Sequence, residues 1–264
     1  MGWWRHPRTI PLITLALCTV LLLHTMVLYR HSTATDTSPL AEYAPQDTLF
    51  IPHRHSSPDT EKPQPILPDN PVNFAALQAE SPDVVAWIKV PNTIINFPVM
   101  QSDANTEEDF YLKHNPKGEK DRNGSIYIQK HNRADFSDPN TVLYGHNMAG
   151  GKMFGAIHKF KKADYFKEHE YIYVYIPGHE LVYRTYALFD FDSSHLLWAY
   201  DFSTEEGYQK FIDKTLNPKT YNRLVREGVV PTTADRVITL STCQNTGDGR
   251  LLLVAVLESD TLTK

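Results

Sequence analysis

RVITLSTCQNTGDGRLLLVAVL, residues 236–257, consists of two β-rich runs joined by a loop of small and polar residues. Val, Ile and Thr favour extended backbone, and the Asn, Asp and Gly residues between the runs favour a turn. If the two runs pair as neighbouring strands, the loop of six residues brings Arg250 back beside Cys243. The segment therefore predicts a strand pair with a cysteine and an arginine at its open end.

Six further runs of the same character lie upstream and indicate a mainly β protein. Together with Arg236–Leu240 and Leu251–Leu257 they give eight predicted strands. Pro177-Gly178 is a hairpin turn signal between the last two upstream runs. Eight strands with helices as insertions indicate a β-barrel or closed sheet rather than a βαβ fold. The upstream runs are Ala86–Val90, Ile94–Val99, Ser125–Gln129, Thr141–Tyr144, Tyr171–Ile176 and Leu181–Phe189.

Four segments have helical patterns and interrupt these strands. Asn73–Ala79 and Met153–Phe160 are short. A capping box at residues 203–206, STEE, opens a longer helix through about Leu216, with apolar side chains on one face. A turn and helix over Lys219–Arg226 follow and end at Gly228.

Composition excludes several classes of protein. The chain has 264 residues, 41% of them hydrophobic, which is enough for a folded domain and excludes wholesale disorder. Its net charge of -5 excludes a broadly basic nucleic-acid binder, so no nucleic-acid partner is expected. Two cysteines, Cys18 and Cys243, exclude a disulfide framework and any four-cysteine metal site.

The N-terminal part of the chain predicts a membrane anchor and a spacer. Residues from Thr9 to Tyr29 carry no formal charge and are long enough for one membrane-spanning helix, so residues 1–30 are predicted to be an anchor. A cleaved signal peptide, with Ser32 to Ala34 as the cleavage site, is the alternative. Residues 31–71 contain eight of the 18 prolines and predict an extended extracellular linker. The folded domain is predicted over residues 72–264.

The chemistry of the domain centres on three residues. Cys243 is its only cysteine and follows a β-run, where a thiol is better placed to be exposed and reactive than inside the apolar core. A cysteine nucleophile needs a proton-handling partner, and His146 follows a predicted strand and Gly145. Arg250, beside Cys243, is suited to stabilise an oxyanion or hold a substrate carbonyl. The structural alternatives are an inert core cysteine and a surface salt bridge of Arg250 with Asp248 or Glu258.

The motifs that carry these residues resemble those of the sortases, membrane-anchored cysteine transpeptidases of Gram-positive bacteria. They are TLSTC at residues 239–243 followed by Arg250, and LYGHNM at residues 143–148 followed by MFG at residues 153–155. The helical insertion at residues 203–226 resembles class B. The six-residue loop before Arg250 is shorter than the loop that class B members often have there.

This resemblance implies an eight-stranded sortase-type β-barrel with helical insertions, in which His146, Cys243 and Arg250 are catalytic. The Cys243 thiolate would attack the amide after Thr in a C-terminal sorting signal and form a thioacyl intermediate. His146 would protonate the departing amine, while Arg250 and the backbone N–H of Gln244 would stabilise the oxyanion. Thr242 and Ser241 would tune the site by hydrogen bonds.

The resemblance also implies the partners. Substrates would be surface proteins or pilins with a C-terminal sorting signal, and the amine acceptor would be a peptidoglycan precursor or a pilin lysine. No metal or organic cofactor is expected. The enzyme would be a single-pass protein of the cell membrane with its catalytic domain on the extracellular face. Two other readings stay open: a cysteine peptidase that lets water resolve the thioester, and a non-catalytic, membrane-tethered binding module.

Overall fold

Eleven β-strands form the framework in the computed structural model of the protein, which describes residues 40–45, 67–245 and 247–264. Nine of them make one large sheet, and β5 and β6 make a separate two-stranded ribbon. In chain order the strands are β1 (Val84–Lys89), β2 (Asn96–Met100), β3 (Ile126–Ile128), β4 (Asn140–Tyr144), β5 (Asn147–Met148), β6 (Lys152–Met153), β7 (Tyr171–Ile176), β8 (His179–Phe191), β9 (Arg223–Val225), β10 (Val237–Cys243) and β11 (Arg250–Leu262).

The large sheet closes on itself. Its neighbours run in the order β11-β10-β4-β3-β2-β1-β7-β8, and β11 also pairs with β8. The pairs β10–β4 and β2–β3 are parallel, and the other pairs of the ring are antiparallel. The predicted eight-stranded closed barrel is thereby confirmed, and closure removes the exposed strand edges that an open sheet would have.

The two faces of β10 pack against different layers, because successive side chains of a strand point to opposite faces. Ile238 and Leu240 lie in the main hydrophobic core of the barrel. Val237 lies in a second cluster with Phe211 and Ile212 of the helix Glu205–Leu216. The strand is therefore buried on both faces up to Thr242, and Cys243 is its first exposed residue.

Helices pack against the barrel, and Phe154–Lys161 contributes side chains to its main core. The α-helices are Phe74–Glu80, Ala163–Glu168, Leu196–Ala199 and Glu205–Leu216, and the 3-10 helices are Ala41–Tyr43, Phe110–Leu112, Ala149–Gly151 and Phe154–Lys161. Thr204 caps the helix Glu205–Leu216 by accepting a hydrogen bond from the N–H of Gly207. The predicted helix at Met153–Phe160 is the 3-10 helix Phe154–Lys161, and the predicted Pro177-Gly178 turn joins β7 to β8.

The helix predicted over Lys219–Arg226 is wrong, since its residues 223–225 form β9. The pairing of β7 with β8 ends at Arg184, which leaves the continuing edge of β8 without a neighbour. β9 fills this edge by pairing with residues 187–189. Asp190 holds the entrance to β9 by accepting hydrogen bonds from Asn222. Pairing with this strand edge outweighs local helix propensity.

Two short pieces of the predicted linker pack against the barrel. Leu40 is fully buried, and the side chain of Lys89 donates a hydrogen bond to the carbonyl of Pro45 (3.0 Å). The N–H of Asn70 donates to the carbonyl of Lys264, at the C-terminus. The domain boundary at residue 72 stays a prediction.

The predicted anchor at Thr9–Tyr29 lies outside the described residues. Among residues 40–45, 67–245 and 247–264, no helix is both long and apolar enough to cross a membrane.

Candidate active site

Cys243 lies at the end of β10, exposed, at the rim of a groove on the outer face of the barrel. The two residues before it, Ser241 and Thr242, are buried and line the same groove. The strand ladder fixes the backbone up to this point, while the sulfur itself stays accessible. This placement matches the requirement for a nucleophile, which needs a rigid support and an open approach.

Arg250 is the direct cross-strand partner of Cys243. The register of β10 and β11 runs without a shift from Val237↔Val256 to Cys243↔Arg250. Side chains opposite each other in an antiparallel pair share one face, so the guanidinium and the thiol face the same groove. Its Nη1 donates to the main-chain carbonyl of Asp248 (2.9 Å) rather than to a carboxylate. The salt bridge considered as a structural alternative is therefore not what holds Arg250.

The backbone N–H of Gln244 is already used in the loop, where it donates to the carbonyl of Gly249 (3.0 Å). The Gln244 side chain closes the same turn by donating to the carbonyl of Arg250 (3.2 Å). The oxyanion contact predicted for this N–H requires the first of these bonds to break. In this conformation, Arg250 is the predicted oxyanion donor that stays directed to the groove.

His146 follows β4 and lines the groove with Cys243 and Arg250. β4 runs parallel to β10 from Asn140↔Val237 to Tyr144↔Ser241, so the two strands end at the same edge of the sheet. Gly145 lies between β4 and His146, and a Cβ there would lie 2.5 Å from Ile126 Cδ1 and 2.8 Å from Phe154. Glycine at this position therefore lets the histidine loop pack closely onto the barrel.

Hydrogen bonds join the segment that carries His146 to the segment that carries Cys243. The N–H of Gly145 donates to the carbonyl of Ser241 (3.2 Å), and Thr242 Oγ1 donates to the carbonyl of Gly145 (2.9 Å). Asn147 Nδ2 donates to Asn245 Oδ1 (2.7 Å) on the loop after the cysteine. These bonds fix the two segments relative to each other across almost one hundred residues of sequence.

Polar and aromatic side chains also line the groove. Asp109 Oδ1 accepts hydrogen bonds from the Tyr127 hydroxyl (2.8 Å) and Gln129 Nε2 (3.0 Å). Burial raises the pKa of Tyr127, and the charge of Asp109 raises this pKa further, whereas Arg250 lowers it. The groove is thus lined by a carboxylate, that of Asp109, as well as by the guanidinium beside the cysteine.

Two polar atoms of the groove-lining residues lack a partner within the described structure. His195 Nε2 donates to Gln129 Oε1 (2.7 Å), which leaves His195 Nδ1 as a buried atom without a hydrogen bond. The hydroxyl of Tyr144 is likewise buried and unpartnered. Burial lowers the pKa of His195, and the nearby His131 lowers it further. Buried polar groups are normally satisfied, so these atoms are suited to meet polar groups of a bound chain.

The structure thus brings Cys243, His146, Arg250, Ser241 and Thr242 to one groove, with Gln244 in the loop beside them. Sequence reasoning missed Asp109, Gln129 and His195, which also line the groove, because these residues come from three separate segments. The sequence contains no local signal for these contacts.

Comparison with known proteins agrees with this geometry. The Sortase domain family matches residues 88–258. Sortase B of Listeria monocytogenes is 32% identical over 183 residues, which cover 67% of this chain and 70% of the Listeria protein. Clostridium perfringens sortase B is 31% identical with a TM-score of 0.63, over 71% of this chain and 100% of that structure. The Staphylococcus aureus sortase B–substrate complex is 27% identical with a TM-score of 0.62, over 72% and 86% of the two chains. The chain therefore belongs to the sortase family of cysteine transpeptidases, and these structural relatives are class B sortases.

Proposed function

We propose that this sortase cleaves a C-terminal sorting signal after Thr and transfers the acyl group to an amine. The Cys243 thiolate attacks the carbonyl carbon of the threonine, and the amide bond breaks as a thioester forms. His146 gives a proton to the departing amine and later takes one from the incoming amine. Arg250 stabilises the negative charge that develops on the carbonyl oxygen.

The observation that carries this proposal is the convergence of Cys243, His146 and Arg250 on one groove. Cross-strand pairing fixes the arginine beside the nucleophile, and the parallel pair β4–β10 delivers the histidine to the same edge. The groove extends beyond the cysteine and contains both a carboxylate and unpartnered buried polar atoms. An extended peptide supplies both donors and acceptors and therefore suits such a groove.

The proposed donors are surface proteins or pilins that end in a sorting signal. The proposed acceptor is the amine of a peptidoglycan precursor or of a pilin lysine. We further propose that the uncharged segment Thr9–Tyr29 anchors the chain in the cell membrane, with the catalytic domain outside. One related structure is a sortase B–substrate complex, which supports the assignment of the groove to a substrate chain.

The peptidase alternative uses the same three residues and differs only in what resolves the thioester. Incubation with a sorting peptide and triglycine separates the two: an amine adduct supports transpeptidation, and hydrolysis without an adduct supports a peptidase. The binding-module alternative predicts an unreactive Cys243. Labelling of Cys243 by a thiol probe at neutral pH would exclude it, since the accessible sulfur beside Arg250 is expected to react.

A further inference from the structure

The chain has a second histidine at the nucleophile. His158 belongs to the 3-10 helix Phe154–Lys161, and its Nε2 lies 3.0 Å from the main-chain carbonyl oxygen of Cys243. His158 is half-buried and contacts the cysteine from the backbone side. We infer that His158 is a positioning residue, whose hydrogen bond to this carbonyl orients Cys243 for reaction.

Strand geometry explains why this carbonyl needs a side-chain partner. Along β10, alternate residues direct their backbone groups to β4, and the last such bond runs from the N–H of Gly145 to the carbonyl of Ser241. Two residues further on, the carbonyl of Cys243 points to the same side, but β4 has ended at Tyr144 to form the His146 loop. His158 donates the hydrogen bond that a longer β4 would have supplied.

The result is a peptide unit held at both ends. The carbonyl of Cys243 accepts from His158, and the N–H of Gln244, in the same peptide plane, donates to Gly249. The plane between the two residues cannot rotate without losing both bonds. The position of the Cys243 sulfur relative to Arg250 then depends only on the rotamer of its side chain.

The protonation of His158 fits a donor and not a general base. A carbonyl oxygen only accepts, so Nε2 carries a hydrogen, and in the neutral ring Nδ1 then carries none. This Nδ1 is buried and has no hydrogen-bond partner within the described residues. Burial lowers the pKa of His158, and Lys161 on the same helix acts in the same direction, whereas the hydrogen bond to Cys243 and the carboxylate of Asp190 raise it. A neutral imidazole with both nitrogens so placed cannot replace His146 in proton transfer.

The test is the rate at which iodoacetamide alkylates Cys243 in the full-length protein, followed by mass spectrometry of the peptide that contains Cys243. His158→Ala removes the donor and frees the peptide unit, so the sulfur spends less time in the exposed position beside Arg250. We expect alkylation to slow about five- to tenfold. His158→Gln retains an N–H donor and is expected to restore the rate to within about twofold of wild type.

His169→Ala is the matched control, because His169 makes a similar bond from Nδ1 to the carbonyl of Tyr165 (2.8 Å), outside the groove. It should leave alkylation of Cys243 unchanged. A folded His158→Ala protein that reacts at the wild-type rate would overturn the inference, and so would His158→Gln if it reacts as slowly as His158→Ala. If His158→Ala does not fold, the His158→Gln protein decides: a near-wild-type rate supports the inference, and a slow rate overturns it.

The catalytic part of the inference rests on the proposed function, and the two can fail separately. With a sorting peptide, His158→Ala should lower kcat about tenfold or more and change KM little. An unchanged kcat in an otherwise active enzyme overturns the positioning role and leaves the transpeptidase intact. Wild-type protein that turns over no sorting peptide removes the proposed function, while the alkylation rates still test the role of His158.

Discussion

Replacing Arg250 by Ala removes the guanidinium that faces Cys243 across the β10–β11 pair. If this group stabilises charge that develops only in the transition state, its loss lowers kcat and leaves KM nearly unchanged. Loss of one such donor costs about 10²–10³-fold in kcat, or about 3–4 kcal/mol. The structure favours the upper part of this range, because the N–H of Gln244 is engaged with Gly249 and cannot substitute without breaking the turn.

Arg250→Lys keeps the charge but loses the planar fork, so we expect it to recover only part of the rate. A purely structural role predicts a different pattern. Arg250 donates to the carbonyl of Asp248, and the loss of one such bond costs about 1 kcal/mol of stability with the chemistry intact. Arg223→Ala is the matched control, because Arg223 is exposed and donates to the carbonyl of Thr220 (2.7 Å).

Measured kcat, KM and melting temperature for the three variants distinguish these cases. We expect a large loss of kcat in Arg250→Ala, a partial loss in Arg250→Lys and none in Arg223→Ala. Wild-type turnover in both Arg250 variants would contradict a catalytic role of Arg250 and would move oxyanion stabilisation to main-chain amides.

Three further predictions concern stability and the histidine loop. Burial lowers the pKa of His158 and of His195, so the unfolded chain binds protons at these histidines more readily than the folded protein does. The melting temperature should therefore fall as the pH drops below about 6.5, and it should fall less steeply in His158→Gln than in wild type. A difference in melting temperature between wild type and His158→Gln that does not change with pH would contradict this. A protein that starts at residue 72 should fold, but its free energy of unfolding in urea should be about 2 kcal/mol lower than that of a protein that starts at residue 39, because Leu40 is fully buried. Equal free energies of unfolding would show that the burial of Leu40 contributes nothing. Gly155→Ala would place a Cβ 2.6 Å from the carbonyl oxygen of Met148, so it should lower stability by about 1–3 kcal/mol. It should also reduce kcat, because it displaces the His146 loop. A wild-type melting temperature and kcat in this variant would contradict the close packing of Gly155 against Met148.

The sequence predicts the barrel because its signals are local. The β-rich runs give all eight barrel strands, with ends within about three residues of those observed, except that β11 continues five residues past the predicted end at Leu257. The error at Lys219–Arg226 has a non-local cause, since β9 forms only because β7 ends early and leaves an edge of β8 to be filled. Local residue propensity contains no information about an unpaired edge on a distant strand.

The catalytic roles of the site residues stay predictions, but the grouping of three of them follows from the sequence. The motifs identify Cys243, His146 and Arg250, and the short loop already implies that the first and last are neighbours. The hydrogen bond between Gln244 and Gly249 depends on the exact register of the turn, and the contact of His158 depends on where β4 ends. Both contacts are determined by strand pairing, so they cannot be predicted from the residue types alone.

As the nucleophile of a transpeptidase, Cys243 forms a thioester that an amine then resolves. The direct measurement incubates the full-length protein with a panel of peptides that carry a Pro-x-Thr motif, with and without triglycine, and identifies enzyme adducts and products by mass spectrometry. We expect an acyl adduct on Cys243, a product in which triglycine is joined to the threonine, and neither species in Cys243→Ala. Hydrolysis without a triglycine product would contradict the transferase assignment, and near-normal turnover by Cys243→Ala would contradict the catalytic mechanism as a whole.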